Sequence, residues 1–561
     1  MNKNFPERLW QLCQEMPHEN AVHFLEAGSD DLAITYQEFY QKSADFAEAL
    51  NQAGIQPGEV VVLIIDYRVD LLFAFWGAVI HGAIPAILPF LTEKLNPERY
   101  LSDLASLISV TRPSAIITYR DFQPIVTKAA EGGSSVRSIL YLEQIKREDK
   151  DPVNSHQGFN RSKNDIVLLQ HSSGTTGLQK GVALSHQSVF NQIEALSESI
   201  QLERSSDVII SWLPLYHDMG LIAGFILPIL SGIPLVLMSP FDWVRAPYRL
   251  FQAVSHYKGT LSWLPNFAYN FCARKIRDRH LSEVDLRSWR AVINCSEPVR
   301  RESHLAFYEK FAPYGLRQDA LQTSYAMAEN TFGVTQSGLG KEPATQHVDQ
   351  YAFLEQGMIK AAEDNKPSLI MMSSGKTLSN TRVRIQDPDG KILPDDRIGE
   401  IALQSNCMLS EYFNRPDTTA DSLQDGWFLT GDYGYRSGEE IYVTGRKKDL
   451  IIVGGKNIYP GDIEELLYEL PGIHPGRAVV FGLFNEKLGT EDVILIAETD
   501  LEKPQDHQEL ADLIRVHVTQ NSPVSLRHVK ITSPGWIIKT SSGKTSRSAN
   551  KAKYLAELNT A

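Results

Sequence analysis

Asp165-Ile-Val-Leu-Leu-Gln-His-Ser-Ser-Gly-Thr-Thr-Gly-Leu-Gln-Lys-Gly181 begins as an apolar run and ends as a tract of small, hydroxylated and basic residues. The first half reads as a short buried strand. The second half reads as a cradle for a polyanion. Gly174 and Gly177 let the backbone wrap closely, the hydroxyls of Ser172, Ser173, Thr175 and Thr176 donate hydrogen bonds, and Lys180 adds charge. The spacing is not that of a P-loop, because Gln179 stands where that motif needs its second glycine. On composition alone the tract also fits a flexible surface loop, so its surroundings decide.

Outward from this stretch, apolar strand-like runs (Val60 to Ile65, Ala115 to Thr118, Val208 to Trp212, Pro234 to Met238, Ala291 to Asn294) alternate with helical patterns. That alternation predicts an α/β fold of parallel sheets with crossover helices, whose ligands sit beyond the carboxyl ends of the strands. From about Pro367 the texture changes to short strands and turns such as Asp387-Pro-Asp-Gly390, predicting a smaller β-rich, barrel-like subdomain over 367–446. After Gly445-Arg-Lys-Lys-Asp449 come a strand, Leu450 to Val453, a Gly-Gly turn, and a helix entered through Pro460 and running Asp462 to Leu470. The expected division is a large domain over 1–446 and a small α+β domain over 447–561, hinged at Lys447/Lys448.

The chain has 561 residues and a net charge of −13, which disfavours nucleic acid as a partner because phosphate neutralisation needs Lys and Arg. Four scattered cysteines form no CxxC pair and read as buried thiols of a reducing cytoplasm. The amino terminus carries charges and prolines where a signal peptide needs an unbroken apolar run. Leu71 to Phe90 is long and apolar, but Gly77, His81, Gly82, Pro85 and Pro89 predict a buried helix turning into a strand and no membrane span.

Further motifs follow in order: Tyr325-Ala-Met-Ala-Glu329, Thr430-Gly-Asp432, Gly445-Arg446-Lys447-Lys448-Asp449 and Lys539-Thr-Ser-Ser-Gly-Lys544. Together with the opening tract they resemble the adenylate-forming superfamily of acyl-CoA synthetases, luciferases and adenylation domains. The resemblance implies ATP and Mg2+ as cofactors. It assigns the phosphate loop to Ser172 through Gly177 with Lys180, and nucleotide contacts to Ser324, Tyr325, Ala326 and Met327. It also places the magnesium on Glu329, the ribose on Asp432 and Arg446, the hinge at Lys448 and the catalytic lysine at Lys544. Each role has a physical basis. One carboxylate matches two ribose hydroxyls, magnesium binds through one carboxylate plus phosphates, and an ammonium offsets the repulsion between a carboxylate and an α-phosphate.

A second set is more specific: Trp212-Leu-Pro-Leu-Tyr-His217-Asp-Met-Gly-Leu221, Pro265-Asn-Phe-Ala-Tyr269 and Ser296-Glu-Pro-Val-Arg300. These resemble the fatty acyl-AMP ligases, which implies a fatty acid substrate. By that match His217 lies beside the acyl carboxylate, and Ser296, Glu297 and Pro298 line adenine. Gly220, Leu221, Ile222, Trp263, Asn266, Phe267 and Tyr269 are expected to wall the acyl chain, although periodicity alone also fits ordinary core. The long link from Glu329 to Gly375 looks like that family's insertion, placed at about 348–368, and implies delivery to the phosphopantetheine thiol of a holo acyl carrier protein in place of coenzyme A. Several positions depart from the usual pattern: Gln179, Ala326, Cys295 and Thr545. None removes a charged group. A basic tail (Lys539, Lys544, Arg547, Lys551, Lys553) offers a surface on which an acidic carrier would dock, with a solvated helix face as the alternative.

Overall fold

The computed structural model describes residues 4–92, 97–131, 135–146, 156–171, 180–453, 456–473, 476–486, 488–522, 524–540 and 543–560. Two seven-stranded sheets are built from the first three-fifths of the chain together with the later edge strand Glu411–Tyr412. One runs in the order Leu321–Thr323, Ala291–Asn294, Leu261–Leu264, Ile209–Ser211, Leu235–Met238, Asn20–Leu25, Leu32–Thr35. It is parallel except for the antiparallel pair at its amino-terminal edge. The other runs Glu411–Tyr412, Gly181–Ser185, Ile166–His171, Ile84–Ile87, Val60–Ile64, Ala115–Thr118, Ser138–Tyr141. Here too the centre is parallel, but Ile166–His171 and Gly181–Ser185 pair antiparallel, so the polar tract between them connects two adjacent strands. The expected parallel sheets are therefore mixed at their edges. Parallel strands need a long crossover, and the link from His171 to Gly181 is too short for one.

The segment Leu71 to Phe90 forms the helix Asp70–His81 and the strand Ile84–Ile87, joined at Gly82, whose φ of +95° closes the helix. Every helical residue from Leu71 to His81 is buried. Burial on all faces, not a bilayer, explains the length of the apolar run. Among the described residues no helix is long and apolar enough to cross a membrane.

The β-rich region is an antiparallel sheet ordered Thr335–Gln336, Lys376–Thr377, Glu440–Arg446, Trp427–Ser437, Gly399–Ser405, Thr381–Gln386. It reaches back before residue 367 for its edge strand. The hairpin Ala478–Asn485/Thr490–Glu498, with Leu526–Thr532 parallel to its second strand, carries the helices Pro460–Leu466 and Pro504–Asn521. Ile451, Ile458, Ile463, Leu495, Ile514 and Val518 form a core of their own there.

The long link after Glu329 is folded. Thr345–Asp349 pairs antiparallel with Ser368–Met372, and between them runs the helix Gln350–Gln356, capped where Asp349 accepts the Ala352 N–H at 2.7 Å. Val348, Phe353 and Leu354 pack on Tyr435, Tyr442 and Tyr459.

Candidate active site

Four neighbouring parallel strands of the first sheet end along one edge: Ile209–Ser211, Leu261–Leu264, Ala291–Asn294 and Leu321–Thr323. Their carboxyl ends release His217, Phe267, Ser296 and Tyr325 respectively into the same space, as the sheet rule requires.

After Ser211 the chain turns through Leu213-Pro214 and enters the π-helix Met219–Ile226 at Asp218. Gly220 is needed there, because a Cβ would lie 2.3 Å from the Pro214 carbonyl oxygen. A π-helix is rare and concentrates at functional sites. It holds Gly220, Leu221 and Ile222 fully buried. Trp263 is buried in its strand, whereas Phe267 is 37% exposed and meets the Trp212–Trp243 stack edge-on; the two indoles lie 3.5 Å apart at 4°. Asn266 is spent on Ser303 and Asn294. Tyr269 is a core residue: its ring stacks on His304 and its hydroxyl donates to the Val292 carbonyl at 2.9 Å.

Ser296 adopts a left-handed φ of +69°, uncommon for a residue with a Cβ. The turn presents its carbonyl to Lys544, whose Nζ donates to it at 2.8 Å, while Glu297 accepts the Phe267 N–H at 2.9 Å and Pro298 is exposed. Lys544 is held by a tight loop. Lys539 and Thr545 pair, the Thr540 N–H donates to the Lys544 carbonyl at 2.7 Å, and Gly543 takes a φ of +83°. Its Nζ also lies 3.5 Å from His217 Nε2. A lysine from the last twenty residues thus reaches the mouth of the parallel sheet. Arg300 holds the same junction, donating to Asp462 at 2.6 Å and pairing with Glu465 at 3.2 Å.

Beyond the end of Leu321–Thr323, the Tyr325 hydroxyl donates to Asp432 at 2.6 Å, and Arg446 lies 3.7 Å from the same carboxylate across the strand pair. Burial pushes the Asp432 carboxyl up, against the pull of Arg446 and Tyr325. Ser324 is buried and donates to Thr335, Ala326 bridges Gly333, and Met327 leads into the turn bearing Glu329. Lys448 sits in the following turn, where burial and the Arg446 charge hold its ammonium below the usual lysine range.

Ser172, Ser173, Gly174, Thr175, Thr176 and Gly177 lie outside the described residues; Lys180 lies within them. Its ammonium sits 4.6 Å from the centre of the Tyr412 ring, and the Tyr412 hydroxyl donates to Glu329 at 2.7 Å. The backbone of this third segment ties both motifs together, through Leu409 N–H to the Glu329 carbonyl at 2.7 Å and Phe413 N–H to the Gly181 carbonyl at 2.8 Å. Burial raises the Glu329 carboxyl, although Tyr412 offsets part of it. Among the described residues no three His, Cys, Asp or Glu side chains gather as a metal cage. A lone carboxylate fits magnesium, which takes its remaining ligands from phosphates and water.

Sequence reasoning had no signal for Tyr412, which lies in no recognised motif. Nor did it assign Asp218, whose carboxylate meets His217 Nδ1 at 2.5 Å. Arg547 and Lys553 of the basic tail are engaged within the protein. Arg547 donates to Asp449 at 3.2 Å, Glu464 at 2.5 Å and the Val480 carbonyl at 3.1 Å, and Lys553 caps the Trp536 carbonyl at 2.8 Å. Both side chains are spent on groups between residues 449 and 536.

Residues 9–413 match the AMP-binding enzyme family. A medium-chain-fatty-acid–[acyl-carrier-protein] ligase, JamA, of Moorena producens (strain JHB) is 30% identical over 95% of this chain and 92% of its own. A 4-hydroxyphenylalkanoate adenylyltransferase of Mycobacterium tuberculosis (strain ATCC 25618 / H37Rv) is 30% identical over 98% of this chain and 91% of its own. A solved structure from studies of fatty acyl-adenylate ligases of E. coli and L. pneumophila superposes with a TM-score of 0.90, at 26% identity, over 100% of this chain and 99% of that one. With a family match over most of its length and relatives spanning nearly all of it, the chain belongs to the AMP-binding enzymes.

Proposed function

We propose that the protein activates a fatty acid as its acyl-adenylate and passes the acyl group to the phosphopantetheine thiol of a holo acyl carrier protein. The observation that carries the first half is the placement of Lys544 Nζ, 2.8 Å from the Ser296 carbonyl and 3.5 Å from His217 Nε2. A cation at that point meets both an acyl carboxylate beside His217 and the α-phosphate of a nucleotide lying between Ser296–Pro298 and Asp432.

In the reaction, a carboxylate oxygen attacks the α-phosphorus, the bond to the β-phosphate breaks, and pyrophosphate leaves. Lys544 offsets the repulsion between the two anions and fixes their approach. Asp432 and Arg446 hold the ribose, Lys180 the phosphates, and Glu329 would hold a magnesium ion, which when bound offsets the charge on the departing phosphates. Gly220 to Ile222, Trp263 and Phe267 line the acyl side, backed by Asn266 and Tyr269. The thiol then attacks the acyl carbonyl and AMP departs. The buried, unbridged cysteines suit a cytoplasmic enzyme.

Support for the carrier as acceptor comes from the folded insertion, which seats Phe353 on Tyr459 and pairs Glu355 with Lys456 at 2.8 Å, beyond the expected hinge at Lys448. The relative named as a ligase for an acyl carrier protein agrees with that reading. Incubation with ATP, Mg2+ and decanoic acid is expected to release pyrophosphate, and to label a holo carrier protein far faster than it forms decanoyl-CoA. Efficient decanoyl-CoA formation would reassign the acceptor to coenzyme A.

A further inference from the structure

Asp218 is the buried acid beside the site that the reaction above leaves without a task. Its side chain is 10% exposed, and Oδ1 lies 2.5 Å from His217 Nδ1 and 2.8 Å from the Met219 N–H, which donates to it. One oxygen thus caps the π-helix and binds the imidazole. The ring is oriented by that contact, because a carboxylate accepts only, so the nitrogen facing it must carry the proton. In the neutral ring Nε2 then has its lone pair toward Lys544 Nζ, a donor, at 3.5 Å. In the other tautomer an N–H would face the ammonium, and two donors repel.

Burial pushes the Asp218 carboxyl up, but His217, Lys544 and the Met219 N–H outweigh it and hold the group below the usual carboxylate range. The acid therefore stays ionised against its surroundings, as an orienting anion must. Of its other titratable neighbours, Cys295 is a buried thiol pushed up to about 12 and carries no charge, and Glu329 is a second carboxyl whose ionisation the Asp218 charge opposes.

We propose that Asp218 is a positioning residue for adenylation, acting through His217 by fixing the ring and tautomer that seat Lys544 against the reacting carboxylate. The proposal rests on the roles given above to His217 and Lys544.

The test is a double-mutant cycle on pyrophosphate exchange with decanoic acid as substrate. Asn and Ser both cap helices, so Asp218→Asn and Asp218→Ser preserve the turn while removing the anion. Each is expected to lower kcat about a hundredfold, the size of a small misplacement of a reacting group, with KM for ATP changed less than about twofold. In a His217→Ala background the same changes are expected to cost less than about twofold more, because the group they act through is gone. Losses that multiply with that of His217→Ala would overturn the role of Asp218 alone, as would near-normal turnover in Asp218→Asn. Normal turnover in His217→Ala itself would overturn the assignment of His217. Failure of both Asp218 variants to show wild-type thermal unfolding would make the residue a structural cap and end the proposal.

Discussion

Glu329 illustrates how a single side chain carries opposing demands. Its carboxyl is raised by burial, with Tyr412 the main group drawing it back. An acid whose folded value lies above its unfolded one adds no penalty below the unfolded value; the penalty grows as pH rises through the folded value and persists above it. Glu329→Gln keeps the acceptor for Tyr412 and removes the charge. The variant is expected to unfold at a higher temperature than wild type near neutral pH, and to lose that advantage in acid. It is also expected to lose most pyrophosphate exchange. Thermal unfolding across pH, beside the exchange assay, checks both; equal stability at all pH values would mean the carboxylate is not under strain. Tyr412 itself shows why such a site is only partly legible in sequence. It bridges Glu329 and Lys180 from a two-residue strand more than 80 positions away, and that pairing exists only once Glu411–Tyr412 has joined the sheet edge beside Gly181–Ser185.

Among the elements, the folded link between Thr345 and Met372 has the most direct consequence. Phe353 is 2% exposed, packs on Tyr459, and has Glu355 paired to Lys456 two residues further along its helix. Truncating a buried phenylalanine typically costs about 3 kcal/mol or more. Phe353→Ala is therefore expected to loosen this contact while leaving the adenylation edge, built from other strands, intact. Pyrophosphate exchange should stay within about threefold of wild type, and decanoyl-CoA formation should rise if the docked insertion restrains the thiol-accepting arrangement. Unchanged rejection of coenzyme A would show that the docking of Phe353 has no part in acceptor choice. The element scale was also the most readable. The strand into the polar tract runs Ile166–His171, and the helix and strand inside Leu71 to Phe90 follow from Gly82 and an apolar run without a polar face. The π-helix was not readable, because Met219–Ile226 is apolar on every face and periodicity cannot separate one helical pitch from another. Arg547 failed for a related reason. A charged residue counted along the chain gives no sign that Asp449 and Glu464 will surround it.

At the scale of the whole molecule, the arrival of Lys544 at the sheet edge requires the last hundred residues to sit in one place, and Arg300 ties them there. Its guanidinium loses solvation on burial, yet Glu465, Asp462 and Glu302 raise its pKa above the ordinary arginine value. Arg300 leaves the same turn that presents the Ser296 carbonyl to Lys544, so docking and the Lys544 contact share one short segment. Cutting a part-buried, hydrogen-bonded pair of this kind costs about 2 kcal/mol or more, largely because the remaining carboxylates lose their partner. If the pair holds only this arrangement, Arg300→Met should slow decanoyl-AMP formation at least tenfold in single-turnover measurements, by RT ln 10 of about 1.4 kcal/mol. The same variant should transfer the acyl group from supplied decanoyl-AMP to a holo carrier protein at close to the wild-type rate, since that step does not need Lys544 at Ser296. Equal slowing of both half-reactions would mean that Arg300 supports the fold of the site itself and not the docking of its lysine.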